Sequence, residues 1–338
     1  MLGSLRLLRY VVAAADAGSV SAAAGRLNVS QPSVSGAIAQ LEAELGVALF
    51  VRHHARGVTL TAPGHRVVAE ARALLHHAQD FAQGARALGA APQGEVAVGC
   101  FLTLAMRYMP PLLAGFRAAQ PGITVRLEEG DQAAVLDGLC SGRTELALSY
   151  GYALPTEVEG ELLAELPPHA IVAAGHPLAG RPAVSLRELA GEPFVLLDLP
   201  HSRDYFAAVF AACRLEPRIA YRSGSYELIR GLVGRGLGYT LHNMLPRTDV
   251  TYDGSRIAIL PLSERPPPVK VMSLRLARHR PRPAVAAFAV FLREAFRPGG
   301  LLADGDAQAF PSPPAFFARG EKRTTEVNRR RRRAPAAG

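Results

Sequence analysis

Cysteine and lysine are scarce in this 338-residue chain, and long hydrophobic runs are absent. The three cysteines, Cys100, Cys140 and Cys213, are widely separated and form no Cys-x-x-Cys pair or Cys/His cluster. Their number and spacing predict neither a disulfide framework nor a zinc site, so free thiols in a reducing cytoplasm are expected. No stretch approaches about 18 apolar residues without a charge, and the sequence therefore predicts no membrane span.

Only Lys270 and Lys322 are lysines, so arginine carries nearly all of the positive charge. The formal net charge is +9, but residues 298–338 hold eight basic and four acidic side chains and account for +4 of it. The remaining excess is mild, and it supports nucleic-acid binding without establishing it. The length and the ordinary hydrophobic content predict a globular protein with a sizeable core and more than one domain.

Catalytic motifs are missing as well, because no GxSxG, P-loop or GxGxxG pattern occurs. The run Gly234–Gly238 has too few glycines at the wrong spacing, and it precedes a predicted strand. His201–Asp204 contains a base, a nucleophile and an acid, but adjacent residues cannot form the spatial relay of a triad. The sequence therefore predicts no enzyme and no cofactor. A hydrolase that uses His201 or Ser202 is the alternative, and ester and amide substrates would test it.

The most informative stretch begins with two short helices. Residues 4–17 predict a first helix that ends at Gly18, and Ser19 or Ser21 can cap the next helix, which ends at Leu27. The N-terminal N–H groups and serine hydroxyls of this second helix could meet a phosphate.

A third helix is predicted over Gln31–Leu45, with Ser30 as its N-cap and Pro32 in the first turn. Apolar residues at helical spacing predict one buried stripe, which consists of Val34, Ile38, Leu41 and Leu45. The opposite face offers side chains that are small or form hydrogen bonds, namely Gln31, Ser33, Ser35, Gly36 and Gln40. Such a slim polar face suits the DNA major groove. An ordinary solvated face of a small helical subdomain is the alternative interpretation.

Two short strands follow, and they predict a hairpin over residues 49–61 with a glycine-containing turn. Arg52 and Arg56 are expected to reach phosphates or a minor groove. His53 and His54 are adjacent, so on a strand they point to opposite faces and predict no metal site.

Residues 63–88 predict a long helix whose apolar residues recur alternately four and three residues apart. This is the spacing of a two-helix coiled coil. About 26 helical residues would span roughly 39 Å, which is too long for a small domain to cover. A dimerisation helix is therefore favoured over a stripe that packs on its own domain. The seam consists of Val67, Ala71, Leu74, Ala78, Phe81, Ala85 and Leu88.

After a break at residues 89–94, strand and helix patterns alternate, which predicts a mostly parallel sheet with both faces covered. The chain is expected to cross into a second lobe near Pro167 and Pro168 and to return at Val269. The predicted units are residues 1–62, the linker helix 63–90 and a two-lobed domain over 94–297. Its first lobe comprises 94–167 and 269–297, and its second 168–268. Residues 298–338, with Arg329–Arg333, predict a disordered basic tail, either a non-specific DNA arm or an extension without a role.

The stretch Ala22–Arg52 resembles the winged helix-turn-helix of the LysR-type transcriptional regulators. It contains an Ala-rich positioning helix, a Ser-Gln-Pro-x-x-Ser start to the third helix and Leu-Glu-x-x-Leu-Gly-x-x-Leu-Phe before the wing. The resemblance continues to Pro298. It implies a multidomain fold: an all-α winged helix-turn-helix, a long linker helix and a two-lobed α/β effector domain similar to periplasmic binding proteins. Gly36 and Ala39 depart from the family, whose members commonly carry basic residues there.

The resemblance implies a cytoplasmic regulator that binds double-stranded DNA as a homodimer or homotetramer and responds to a small-molecule effector. A sensory module with weak or lost DNA binding is the alternative. The predicted DNA-contacting residues are Ser19, Ser21, Ser30, Gln31, Pro32, Ser33, Ser35, Gly36, Gln40, Arg52 and Arg56.

The effector is expected at the carboxyl ends of strands where the topology switches, between the two lobes. Thr103 and Ser202 are expected to cap helices there, and helix N-termini favour a small anion. The predicted effector-binding residues are Cys100, Phe101, Leu102, Thr103, Tyr150, Gly151, Pro200, His201, Ser202, His242 and Asn243.

Overall fold

The computed structural model describes residues 4–53, 57–86 and 93–302. Three helices and a hairpin form the N-terminal unit. Gly18 and Gly46 end the first and third helices with φ values of 59° and 68°, a conformation that glycine adopts without a Cβ clash. These elements are α1 (Leu5–Ala17), α2 (Val20–Leu27), α3 (Gln31–Leu45), β1 (Phe50–His53) and β2 (Gly57–Leu60).

The predicted stripe of α3 is buried against α1 and α2, with Val34 and Leu41 at 0% exposure. Helix α4 (Ala62–Arg86) follows and contributes Val68 and Ala71 to the same core. The hydroxyl of Thr61 accepts a hydrogen bond from Gly64 N at 2.9 Å and so caps the start of this long helix.

Lobe 1 is a five-stranded sheet in the order β4-β3-β5-β12-β6, covered by helices. β3 pairs parallel with β4 and β5, but β12 pairs antiparallel with β5 and β6. The prediction of a mostly parallel sheet is therefore wrong for half of this sheet, because β12 re-enters from the other lobe. The elements are β3 (Gly94–Phe101), α5 (Leu102–Ala119), β4 (Ile123–Gly130), α6 (Gln132–Cys140), β5 (Leu146–Tyr150), β6 (Val158–Leu166), β12 (Val269–Leu276) and α10 (Pro283–Phe296).

Lobe 2 combines the antiparallel strands β10-β7-β11 with the parallel pair β8-β9. A bridge between Phe194 and Tyr239 joins the two groups. The elements are β7 (His169–Ala173), α7 (Leu186–Leu189), β8 (Pro193–Leu197), α8 (Pro200–Ala212), β9 (Arg218–Ser223), α9 (Tyr226–Gly234), β10 (Thr240–His242) and β11 (Ile257–Pro261).

Several elements differ from the sequence-based expectation. The sequence patterns do not indicate β6, β11 or α7, and the strand expected after Gly238 is the short β10, Thr240–His242. Leu302 is buried in the lobe 1 core and its N–H donates to Ala295 O at 2.9 Å, so the tail begins later than residue 298. The rest of the predicted tail, including Arg329–Arg333, lies outside the described residues.

None of the helices in the described ranges combines the length and hydrophobicity that crossing a bilayer requires.

Candidate DNA-reading surface and ligand cleft

The outer face of α3 is exposed and uncharged over its first three turns. Gln31, Ser33, Gly36 and Gln40 are exposed, and Ser35 is half-buried. The structure therefore places the predicted polar face opposite the buried stripe. This surface offers amide and hydroxyl groups, which pair with base edges in a major groove, but it offers no charge.

The predicted cap of α3 is wrong in one respect. Ser30 is the N-cap residue, but its hydroxyl forms no bond with a backbone N–H of the helix. Its oxygen lies 2.8 Å from the Ser33 hydroxyl instead. Ser19, in contrast, caps α2 as predicted, because its hydroxyl accepts from Ala22 N at 3.3 Å. Ser21 and Pro32 are exposed in the first turns of α2 and α3.

Glu42 fastens the hairpin to α3. Its Oε1 atom accepts hydrogen bonds from Leu49 N at 2.7 Å and Phe50 N at 3.1 Å. The wing therefore keeps a fixed position relative to the α3 helix. Arg52 on β1 is exposed and available to a phosphate. Arg56 and His54 lie outside the described residues.

The seam of α4 divides into two parts. Ala71 packs in the core of the N-terminal unit, and Val67 packs partly against it. Leu74 and Phe81 remain 50% and 79% exposed, and a groove of about 400 Å³ runs beside Leu74 between α4, α1 and α3. Ala78 is half-buried. Leu88 lies outside the described residues, as does the side chain of Ala85.

A buried arginine joins the N-terminal unit to lobe 1. Arg72 of α4 is 7% exposed. Its guanidinium donates to the Asp16 carboxylate of α1 and to the Ser141 carbonyl that follows α6. One side chain therefore links the helix-turn-helix unit, the linker helix and the first lobe.

Two further carboxylates complete this junction. Glu70 of α4 lies 2.7 Å from Arg278 Nε and 3.2 Å from His279 Nε2. Glu145 of lobe 1 accepts from Arg282 at 2.7 and 2.6 Å and lies 3.6 Å from His76 of α4. Burial alone would raise the pKa of Glu145, but His76 and Arg282 lower this pKa to about 2. Glu70 therefore forms an ion pair between α4 and lobe 1, while Glu145 pairs with Arg282 inside lobe 1 and lies beside His76 of α4.

A cleft lies between the lobes, and five predicted residues line it: Thr103, Tyr150, Ser202, His242 and Asn243. The Thr103 and Tyr150 hydroxyls lie 3.0 Å apart. The cavity measures about 20 Å³, which is room for about one water molecule. A larger ligand therefore requires the side chains or the lobes to move.

Three tyrosines in the cleft were missed from the sequence. Tyr152 follows β5, Tyr205 lies on α8 and Tyr226 begins α9. They come from separate elements, so no local spacing marks them as a group. Burial raises the pKa of each of these phenols and of Tyr150, so all four remain protonated at neutral pH. A ligand in the cleft would therefore meet neutral hydroxyl groups.

His242 is 2% exposed and lies on the floor of the cleft. Burial, followed by the positive charge of Arg230, lowers its pKa to about 3. The imidazole is therefore neutral at physiological pH. Its Nε2 atom is buried and has no hydrogen-bond partner among the described residues. It is a polar atom that a ligand could satisfy.

The expected caps at the cleft are wrong. The N-caps of α5 and α8 are Phe101 and Leu199, and Thr103 and Ser202 lie inside their helices. The other predicted residues stand around the cleft without lining its cavity. Cys100 and Phe101 belong to the hydrophobic core, and His201 lies with its ring centroid 5.0 Å from that of Tyr152. Three further predicted residues are close in the chain to residues that line the cavity but do not line it themselves, namely Leu102, Gly151 and Pro200.

The chemistry of a thiol or metal site is not assembled in the described part of the chain. Burial raises the pKa of Cys100, Cys140 and Cys213, so each is a protonated thiol near neutral pH. No group of three His, Cys, Asp or Glu side chains is placed to hold a metal ion within the described residues. Within the run His201–Asp204, Arg203 forms an ion pair at 2.9 Å with Asp198, which lies outside the run.

Two protein-family models match the chain. Residues 5–65 match the bacterial regulatory helix-turn-helix protein, lysR family, and residues 89–297 match the LysR substrate binding domain. The two matches cover the α3 reading surface and the cleft respectively.

Known proteins resemble the chain over most of its length. The uncharacterized HTH-type transcriptional regulator YnfL of Escherichia coli K12 is 32% identical over 87% of this chain and 99% of its own length. The crystal structure of HinK, a LysR family transcriptional regulator from Pseudomonas aeruginosa, is 37% identical, with a TM-score of 0.60 over 88% of this chain and 99% of that one. Full-length CbnR complexed with its target DNA is 27% identical, with a TM-score of 0.52 over 87% and 100% of the two chains.

Proposed function

This chain belongs to the LysR family of bacterial transcriptional regulators, and we propose that it reads its operator with the exposed face of α3. The observation that carries this assignment is an uncharged row on the exposed face of α3, which consists of Gln31, Ser33, Ser35 and Gln40. The opposite face of the helix packs against α1 and α2. Gln31 and Gln40 suit adenine edges, while the serines accept or donate to either base type. The related CbnR structure contains target DNA, which supports the same role for the N-terminal unit here.

Contacts with the sugar-phosphate backbone of DNA come from residues at the edges of this surface. Ser19 and Ser21 at the start of α2 and Arg52 on the wing meet phosphates, and Arg56 extends the wing contact. Ser30 and Gly36 are exposed beside these groups and complete the surface that faces the groove.

A second copy of the chain covers the exposed seam of α4. Leu74 and Phe81 would otherwise leave large apolar side chains in water, which a paired helix removes. The dimer, or a tetramer built from two dimers, presents two copies of α3 to a roughly palindromic operator. Residues 1–62, 63–90 and 94–297 serve as reading unit, linker and effector domain.

A small ligand occupies the cleft between the lobes and shifts how the subunits hold DNA. The cleft offers neutral hydroxyl and amide groups. The nearby charge of Arg230 is balanced by Glu227 at 2.6 Å. Hydroxyl and amide donors favour a ligand with oxygen acceptors, such as a small anion. We infer that the protein acts in the cytoplasm as a DNA-binding regulator rather than as an enzyme.

Salt-dependent binding to DNA from the chain's own upstream region, beside a scrambled duplex, tests this function. We expect tighter binding to the upstream DNA, with Gln31→Ala and Ser35→Ala each reducing this preference about tenfold, the loss of one base contact. Gln79→Ala, which removes an exposed amide side chain from α4 rather than from α3, is the matched control and should leave the preference unchanged.

Equal and steeply salt-sensitive binding to both duplexes would contradict this function. If removal of Arg329–Arg333 then abolished the binding, the tail would be the DNA-binding segment. The sensory-module interpretation would lead in that case, and turnover of an ester or amide substrate by the purified chain would instead support the hydrolase.

A further inference from the structure

The chain crosses between the lobes twice, and both crossings are rich in proline. Pro167 and Pro168 lead from β6 to β7, and Pro266–Pro268 lead from β11 to β12. Proline has no backbone N–H, so these segments form hydrogen bonds mainly through their carbonyl oxygens. Any side chain that holds the crossings must therefore be a donor.

Two side chains of lobe 2 supply such donors to both crossings. Asn243 Nδ2 donates to Leu166 O, at the start of the first crossing, at 2.9 Å. The Tyr205 hydroxyl donates to Pro267 O, in the second crossing, at 2.8 Å. Asn243 Nδ2 also donates to the Tyr205 hydroxyl at 3.1 Å, so one connected network spans both crossings. Asn243 is 8% exposed, which strengthens bonds of this kind.

The same two side chains line the ligand cleft, together with Thr103 and Tyr150 of lobe 1. We propose that Tyr205 and Asn243 are positioning residues that together form a hinge latch, because their side chains hold the two crossings by hydrogen bonds. An effector opens this latch when it accepts these hydrogen bonds in place of the carbonyl oxygens of the crossings. This proposal rests on the proposed function, because it assigns the step by which cleft occupancy changes the lobe geometry.

The donors define the ligand chemistry that opens the latch. A hydrogen bond to a charged oxygen is stronger than one to a neutral carbonyl, so an oxyanion competes well for the Tyr205 hydroxyl and the Asn243 amide. A carboxylate, with two oxygens, can accept from both. Leu166 O and Pro267 O then lose their side-chain partners, and the crossings become free to bend.

Amide hydrogen exchange of the full-length protein tests the latch without a ligand, since exchange reports local opening. Tyr205→Phe keeps the ring and removes one donor, and Asn243→Ala removes the other. In each variant we expect exchange of the peptides that flank the two crossings to rise about fivefold, the factor that one hydrogen bond of ordinary net strength contributes. The double variant should add little to the larger single effect, because both side chains act in one network.

Tyr226→Phe is the matched comparison for location. Its hydroxyl donates to Met244 O at 2.7 Å, a bond of similar length that stays inside lobe 2. Its effect on exchange should appear beside Met244 and not at the crossings. Equal exchange at the crossings in wild type and in both latch variants would overturn the proposal, as would an equal increase in Tyr226→Phe. Far-UV circular dichroism confirms that each variant is folded.

A second readout separates the latch from a purely structural role. The bend of the upstream DNA in the complex should change in Tyr205→Phe and stay at the wild-type value in Tyr239→Phe, which lies in the lobe 2 core away from the cleft. An unchanged bend in Tyr205→Phe would also overturn the proposal. Failure of the wild-type protein to bind this DNA specifically would contradict the proposed function, while the exchange result would still decide whether the latch exists.

Discussion

The reading face of α3 and the ligand cleft are built on opposite principles. The α3 face is exposed and uncharged, and its helix packs in a three-helix core, so the surface is already formed in the protein alone. The cleft is closed to about 20 Å³, and its polar groups are buried and partly bonded to the hinge. A preformed surface suits recognition, whereas a closed and internally bonded cleft suits a switch, because a ligand must change the structure in order to enter.

The largest effect is expected at the seam of α4, which we propose pairs with the same helix of a second copy of the chain. Phe81→Asp places a charge on a side chain that is 79% exposed in the single chain. We expect the dimer to dissociate and operator affinity to fall at least about 100-fold, because the second half-site loses its tethered partner. Sedimentation and DNA titration measure both effects.

Gln79→Asp, at an exposed position on the same helix but outside the seam, is the matched control and should remain dimeric. A Phe81→Asp protein with the sedimentation and operator affinity of wild type would exclude this seam as the interface.

The next largest effect is expected at the junction, where the rigid unit meets the switching domain. Arg72→Ala leaves the Asp16 carboxylate, which is 31% exposed, without its partner and leaves the Ser141 carbonyl unbonded. Removing one member of such a buried pair should lower the free energy of unfolding by about 2–3 kcal/mol. Urea denaturation measures the loss.

Arg126→Ala is the matched control, since its pair with Glu128 is a surface ion pair with a 43% exposed arginine. It should cost less than about 1 kcal/mol. Equal losses in the two variants would mean that Arg72 does not hold the junction.

The two regions also differ in how well the sequence predicts them. The bounds of α3 follow from local signals, because a proline in its first turn and an apolar stripe are visible within one helix. The cleft tyrosines come from three distant elements that only the folded lobes bring together. The acceptors of the latch are backbone carbonyl oxygens, which every residue has, so the sequence does not mark them. β6 was missed because its partner β12 lies more than 100 residues away in the chain.

Because of the cleft, and not of the α3 face, the stability of the folded protein should change with pH in the mildly acidic range. His242 has a folded-state pKa of about 3, below the unfolded value of 6.5. The unfolded chain therefore binds the proton first, so stability is fully present above pH 6.5 and falls as the pH decreases toward 3. At pH 5 the loss is about 2 kcal/mol.

His242→Gln should flatten the pH dependence of thermal unfolding between pH 4.5 and 6.5. Glu145, whose pKa is lowered to about 2 from 4.5, contributes only below this window, where stability is lost as its carboxylate is protonated. An unchanged slope between pH 4.5 and 6.5 in His242→Gln would show that this imidazole is not the titrating group.

The smallest effect is expected from placing a charge on the uncharged α3 face. A Cβ atom at Gly36 meets nothing within 4 Å, so Gly36→Arg fits without strain and also favours the helix. One added phosphate contact should tighten DNA binding about tenfold, or ~1.4 kcal/mol, and steepen the salt dependence by about one counterion. Gly191→Arg adds the same charge at an open position of lobe 2 and should leave both quantities unchanged. If DNA affinity rose equally in the two variants, the α3 face would not be the surface that meets DNA. The molecule would then have no preformed reading face to set against the cleft.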